Sequence, residues 1–227
     1  MDQHWDAYCA LSLVHFLAFP ECQGGEGPIL ESIRKIADDD FFAAIEISRI
    51  NQPSVRRQVA QLTEQTHLQL DFGAHPIILG GKVDLNSPDS GQRVKALETL
   101  KPYVDQAAEL GSRQFVILSG PDPGEGDRFS ATDALVDSIQ QLCAYACDCN
   151  ISVTLETFDR AVEKKALIGP AAEAAVVAER VKRDFPDFGV LYDMAHMVLL
   201  NESPVPALST LKEHLNHVHV GNCVKVP

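Results

Sequence analysis

The sequence predicts an α/β protein whose parallel strands close into a barrel, and three observations carry that prediction. Short apolar segments alternate with helix-patterned segments along the whole chain. The strand candidates are rich in Val, Ile, Leu and Phe almost throughout, as strands read when both faces of a parallel sheet are covered. The turn after the first of them, Val14-His15-Phe16-Leu17, lacks the glycine-rich phosphate fingerprint of an open nucleotide-binding sheet. Gly24-Gly25-Glu26-Gly27 comes too late and has the wrong spacing.

The elements follow in order. Strands are expected at Ala7–Val14, Phe42–Ser48, His67–Gly73, Gln114–Ser119, Ile151–Thr157, Gly189–Asp193 and Asn216–Val220. The first helix runs from Ile29 to Ala37, with Ile29, Leu30, Ile33, Ile36 and Ala37 on one stripe. Pro53 opens the next, in the first turn where proline is tolerated, and Val55, Val59 and Leu62 form its stripe. A long helix covers Val94 to Leu110 and stops at Gly111, which can take a left-handed cap. Another covers Thr132 to Cys147, with Asn150 as its stop. Pro170 starts the helix to Arg183, and Pro206 starts the last, through Leu215.

This is a βα unit repeated six times, followed by a seventh strand. A complete barrel has eight strands, so the last βα unit is expected beyond Pro227. The loops Gly80–Gly91 and Gly120–Ser130 are long, rich in Gly, Pro and Asp, and follow strands on the side where barrel loops carry function. No linker or repeat divides the 227 residues, so 1–227 reads as one barrel domain, within the ~250 residues usual for the fold.

Composition narrows the function. Hydrophobic residues make up 45% and charged residues 22%, as in ordinary globular chains. Acids outnumber bases 32 to 19, for a net charge of −13. That disfavours nucleic acid and anionic membrane surfaces, since both are bound through Lys and Arg. No apolar run approaches the ~20 residues of a membrane span, and Met1 to Tyr8 lacks the basic start of a leader, so a cytoplasmic location is expected. Six cysteines are too few for a disulfide scaffold, and Cys143, Cys147 and Cys149 read as free thiols.

Polar residues at strand C-termini are where a barrel keeps its chemistry. Glu156 ends strand five in Val153-Thr154-Leu155-Glu156, and Asp193 ends strand six in Val190-Leu191-Tyr192-Asp193. His217 and His219, two apart in strand seven, share a face. Any one of these has an ordinary reading: a solvated rim charge, a helix cap, a satisfied core histidine. Together, three successive strands deliver two carboxylates and an imidazole to one rim, with neighbouring strands about 4.8 Å apart. Such a donor set suits one divalent ion, Mn²⁺, Mg²⁺, Co²⁺ or Zn²⁺. His15, Glu46 and His75 just past or at the ends of strands one to three, and Arg160 in the loop after Glu156, are further pocket candidates. Arg160 and the nearby Lys165 could meet an anionic substrate group.

Val153-Thr154-Leu155-Glu156, Asp193-Met194-Ala195-His196 and His217-Val218-His219-Val220-Gly221-Asn222 resemble the xylose-isomerase-like (β/α)8 TIM-barrel superfamily. Within it they are most similar to the sugar phosphate isomerase/epimerase branch that includes D-tagatose 3-epimerase-like enzymes. The resemblance covers nearly the whole chain, including Leu11-Ser12-Leu13-Val14-His15 and Ile45-Glu46-Ile47. It implies that Glu156, Asp193 and His219 are metal ligands, that Glu156 is also the catalytic base, and that His196 touches a substrate oxygen. A fourth ligand, a glutamate on strand eight, would lie beyond Pro227. The activity implied is isomerisation or epimerisation of a sugar, sugar phosphate or related hydroxy-ketone by proton transfer through a metal-stabilised enediolate. A lyase or dehydratase of the same superfamily, an abasic-site endonuclease on the same barrel, or a non-catalytic barrel subunit of a larger complex are the alternatives. Self-association into a homo-oligomer is also expected.

Overall fold

The computed structural model describes residues 2 and 4–221. Asn222 of the H-x-H segment and the residues after it lie outside the described part. Seven parallel strands form a single sheet in sequential order: β1 Ser12–Val14, β2 Ala44–Ile47, β3 Gln69–Gly73, β4 Gln114–Leu118, β5 Ser152–Glu156, β6 Gly189–Asp193 and β7 Leu215–His219. Between them lie α1 His15–Ala18, α2 Ile29–Ala37, α3 Pro53–Thr66, α4 His75–Gly81, α5 Ser90–Glu109, α6 Arg128–Asp148, α7 Ala171–Val181, α8 Met194–Leu200 and α9 Pro204–Leu211. Among the described residues every strand pair is parallel and joined in sequence order, the topology of a (β/α) barrel wall. Among the described residues β1 and β7 do not pair, and a channel of about 1700 Å³ runs between them. Among the described residues no helix is long and apolar enough to cross a membrane.

The outward faces of the strands pack under the helices. Ile45, Phe72, Phe115, Ile117, Leu155, Val190 and Tyr192 are almost wholly buried, and Phe72 stacks on Phe115 with ring centroids 5.4 Å apart. The helix stripes meet them: Ile33, Val59, Leu100, Val104, Leu135, Ile139, Leu142, Val177 and Val181 have no exposed surface. Each such side chain contributes roughly 1.5–3 kcal/mol by leaving water, which holds the short strands in place.

Several expected bounds shift. β1 begins at Ser12 rather than Ala7, because Trp5–Ala7 forms a 3₁₀ turn. α5 starts four residues before Val94, at Ser90, where the Asp89 carboxylate accepts from Gly91 N at 2.8 Å and caps it. α6 likewise starts at Arg128 rather than Thr132, and α9 ends at Leu211, leaving Leu215 to β7. Three short helices stand where the sequence assigns none: α1 directly after β1, α4 and α8. α4 follows β3 directly and reaches into the expected loop Gly80–Gly91, while α8 follows β6. α1 has four residues and α4 and α8 seven each, too few for an apolar period to show. The stops Gly111 and Asn150 hold, both at positive φ (78° and 58°). Cys143, Cys147 and Cys149 are free, and burial pushes the Cys143 thiol up to about 12.

Candidate metal centre at the strand ends

In a barrel, alternate residues of each strand point inward, and the register here stacks the polar ones. Glu46 lies beside Asp71, Asp193 beside His219, and Leu191 beside His217. The register slips at Val190/Leu191, so Asn216 is passed over and His217 and His219 stay in phase with β6.

Glu156, Asp193 and His219 each offer one ligand-type atom within 4.8 Å of the other two. A second group, Glu46, His217 and His219, meets the same criterion and shares His219. The His219 ring sits between two buried carboxylates: Nδ1 is 3.2 Å from Glu156 Oε1 and Nε2 is 3.1 Å from Glu46 Oε2. Burial pulls this imidazole down, but hydrogen bonds to Glu156 and Glu46 and their charges more than reverse it, to about 11.

His75, at the start of α4, reaches the same two carboxylates. Its Nε2 touches Glu156 Oε2 without the alignment of a hydrogen bond, and its Nδ1 is 3.7 Å from Glu46 Oε1. A side chain on Gly73 would collide with Glu46 Oε1 and press on His75 Nδ1, so the glycine that ends β3 makes the room in which both sit. Burial pushes the Glu156 carboxyl up, but the His75 charge and the His219 hydrogen bond hold it at about 2. Asp193 stands above its ordinary value, first through burial and then through the nearby Glu156 charge, against the opposing Ala195 N–H. Burial also lifts Asp71 to about 6, with Glu46 adding to it.

The donor set fits a divalent ion. Atoms held within 4.8 Å of one another need little movement to stand about 2.0–2.3 Å from a common centre. Glu46 Oε1 is buried without a hydrogen-bond donor, a costly state that a cation would relieve.

A cavity of about 600 Å³ opens over these groups, within the size range of small-molecule sites. Glu46, His75, Glu156, Asp193, His196 and His219 line it, with Phe16, Leu17, Leu79, Phe158 and Leu199 as an apolar wall. His196 Nε2 is 3.5 Å from Asp193 Oδ2, and its ring lies 4.6 Å from that of Phe158. Glu46, His75, Glu156, Asp193, His196 and His219, all singled out in the sequence, thus converge. His15 and Arg160 do not. His15 Nε2 is 2.7 Å from Ser32 Oγ under α2. Arg160 bonds Glu173 and the Leu167 carbonyl.

Other wall residues escaped the sequence reading. Arg49, Glu163 and Lys164 line the cavity, and Asp71 stands 3.7 Å from His217 Nδ1. The fully buried Asp159 accepts hydrogen bonds from Val162, Glu163 and Lys164 N at 2.7–2.9 Å. Arg49 was legible as a charged residue just past a strand end. Asp159 carried no signal, since a loop acid is normally solvated.

A parallel barrel with carboxylates and imidazoles gathered at its strand ends defines the class. Residues 34–226 match the family described as Xylose isomerase-like TIM barrel, and the chain belongs to it. No curated protein sequence matches the chain. Among solved structures, D-psicose 3-epimerase from Clostridium cellulolyticum H10, crystallised with D-tagatose, superposes with a TM-score of 0.68 at 22% identity, over 86% of this chain and 68% of that one. An L-ribulose 3-epimerase gives 0.73 at 16% identity, over 94% and 70%. A family 2 AP endonuclease from Brucella melitensis gives 0.72 at 19%, over 93% and 78%. At these identities the likeness is one of fold.

Proposed function

We propose that this chain is a divalent-metal-dependent isomerase or epimerase acting on a sugar or a related hydroxy-ketone. The observation that carries the reading is the convergence of Glu156, Asp193 and His219 ligand atoms within 4.8 Å on the wall of a cavity of sugar size. The fold shared with two ketose 3-epimerases supports it. The net charge of −13 weighs against the abasic-DNA chemistry named for the third relative.

Glu156, Asp193 and His219 would hold the ion. When bound, it supplies Lewis-acid stabilisation of the negative charge that develops on adjacent substrate oxygens as a carbon-bound proton leaves. Glu156 is the base for that proton: the carboxylate is buried, lines the cavity, and is kept ionised by the imidazoles around it. Glu46 accepts from His219 Nε2 and so orients the ring. His196 is positioned to donate to a substrate oxygen, its ring steadied by Phe158 and Asp193. The wall of Phe16, Leu79, Phe158 and Leu199 keeps water from the carbanionic centre.

The test uses the full chain stripped with chelator. Titration with Mn²⁺, Mg²⁺, Co²⁺ and Zn²⁺ should give saturable binding of at least one of them. In deuterium oxide, proton NMR of a ketose panel should then show metal-dependent loss of a C–H signal next to the carbonyl. Absence of both binding and exchange would overturn the reading. Exchange accompanied by elimination would move the reaction to the lyases of the superfamily.

A further inference from the structure

We infer that the cavity contains an oxyanion subsite built on Arg49, and that the substrate is a hydroxy-ketone carrying a carboxylate or phosphate group; the substrate part of this rests on the isomerase/epimerase reading above.

The starting point is an imbalance. Five other arginines among the described residues are half-buried: Arg56, Arg93, Arg128, Arg160 and Arg180. Each has an acid within 4.0 Å, respectively Glu109, Asp137, Asp122, Glu173 and Asp133. Arg49 is half-buried too, lines the cavity, and has no acid partner among the described residues. In a chain with 32 acids and 19 bases, a half-buried arginine with no acid beside it is the exception among the described residues. Its charge faces the cavity with no carboxylate to neutralise it, so an arriving anion meets an unshared guanidinium.

Arg49 is also held in position. Its Nε donates to the Gly24 carbonyl at 3.1 Å, which leaves the two outer nitrogens of the fork for another acceptor. The loop that supplies that carbonyl is tied to the arginine's own segment: Asn51 N donates to Gly25 O at 2.9 Å, and Asn51 Nδ2 to Gly24 O at 3.2 Å. Gly25 has φ 85°, and a Cβ there would lie 3.0 Å from Arg49 Cγ and 2.8 Å from Asn51 Oδ1, so glycine lets the loop close on the arginine stem. A guanidinium fixed through Nε with a free fork is arranged for bidentate recognition of a carboxylate or phosphate.

The other charges on this wall are engaged. Glu46 and Glu156 face His75 and His219, Asp193 caps α8, and Lys164 Nζ bonds Glu163 Oε1 at 2.7 Å. Among the described residues, Arg49 is the charge on this wall that no ion pair with a group of opposite sign engages. The anionic group is therefore met here rather than at Arg160, which Glu173 already occupies.

The experiment separates this inference from the activity. The chelator-treated full chain is titrated with inorganic phosphate and with glycolate at constant ionic strength, so that any binding does not pass through a metal. Saturable binding of one or both is expected, weakened at least tenfold in Arg49→Gln and retained more fully in Arg49→Lys and in Arg160→Gln. Phosphate alone would identify a phosphate ester as the natural group, and glycolate alone a sugar acid. With metal restored, the preference for an anionic over a neutral hydroxy-ketone in kcat/KM should collapse at least tenfold in Arg49→Gln, mainly through KM. Arg49-dependent binding without turnover of any ketose would leave the subsite standing and sink the isomerase reading. The inference is overturned if neither anion binds, if binding follows Arg160 instead, or if turnover favours neutral sugars.

Discussion

Glu156 combines two duties that a single substitution can separate. Glu156→Gln keeps a carbonyl oxygen for an ion but loses the base, so turnover should fall by about 10²–10⁴ while metal affinity falls far less. His219→Ala removes a nitrogen donor together with the link between Glu156 and Glu46, and should weaken metal binding on the order of 100-fold or more. Glu46→Gln leaves every member of the Glu156 group in place and should still cost about 10–100-fold in metal affinity, because the His219 ring loses its charged acceptor. Calorimetric titration of the three variants checks the order; equal affinities for wild type and Glu46→Gln would remove Glu46 from the site.

His15 makes a residue-scale prediction of a different kind. Burial pulls its imidazole down from 6.5 to about 4, with Glu21 opposing weakly. The unfolded chain therefore holds more protons between those values. This contribution to stability is complete above about pH 6.5 and is lost as pH falls towards 4, by on the order of 3 kcal/mol. Urea unfolding of wild type and His15→Gln at pH 7 and pH 4.5 should show a shallower acid slope for the variant. Parallel slopes would mean that other groups carry the acid loss.

At the scale of elements, the strand-to-helix joints place the site. Asp193 ends β6, and its Oδ1 accepts from Ala195 N at 2.7 Å, so one carboxylate caps α8 and offers its other oxygen to the cavity. The sequence offered cap and ligand as competing readings of this aspartate, and the geometry has room for both. The β5–α7 connection depends on Asp159 in the same way. With three backbone N–H groups satisfied by one buried carboxylate, Asp159→Ala should cost about 2–4 kcal/mol and speed amide exchange at Val162, Glu163 and Lys164 before any effect on the barrel strands. Uniform exchange changes across the strands would point instead to global destabilisation.

For the whole molecule, an ion that binds only the folded chain adds stability by mass action. At a free concentration 100 times its Kd the gain is about 2.7 kcal/mol, which for a chain of this size raises Tm by roughly 5–10 °C. Thermal melts with and without chelator should show that shift in wild type and lose it in His219→Ala. Sedimentation at micromolar concentration checks the expected self-association, a clean monomer of 24.8 kDa being the contrary result.

The alternation of strands and helices, the parallel sheet, the helix stops and the rim placement of Glu156, Asp193 and His219 were all legible in the sequence. Each follows from local periodicity or from the rule that parallel strands end at one rim. Helices α1, α4 and α8 were not, being too short to display a period. Nor was it legible that Glu46 shares His219 with the Glu156 group and that His75 packs on both glutamates, while His15 turns under α2 and Arg160 turns to Glu173. Those outcomes depend on which side chains meet across the barrel and between loops far apart in sequence, and on how each buried charge finds its partner. The same long-range accounting leaves Arg49 without an acid, because pairing is decided by distance in space, which a linear pattern does not contain.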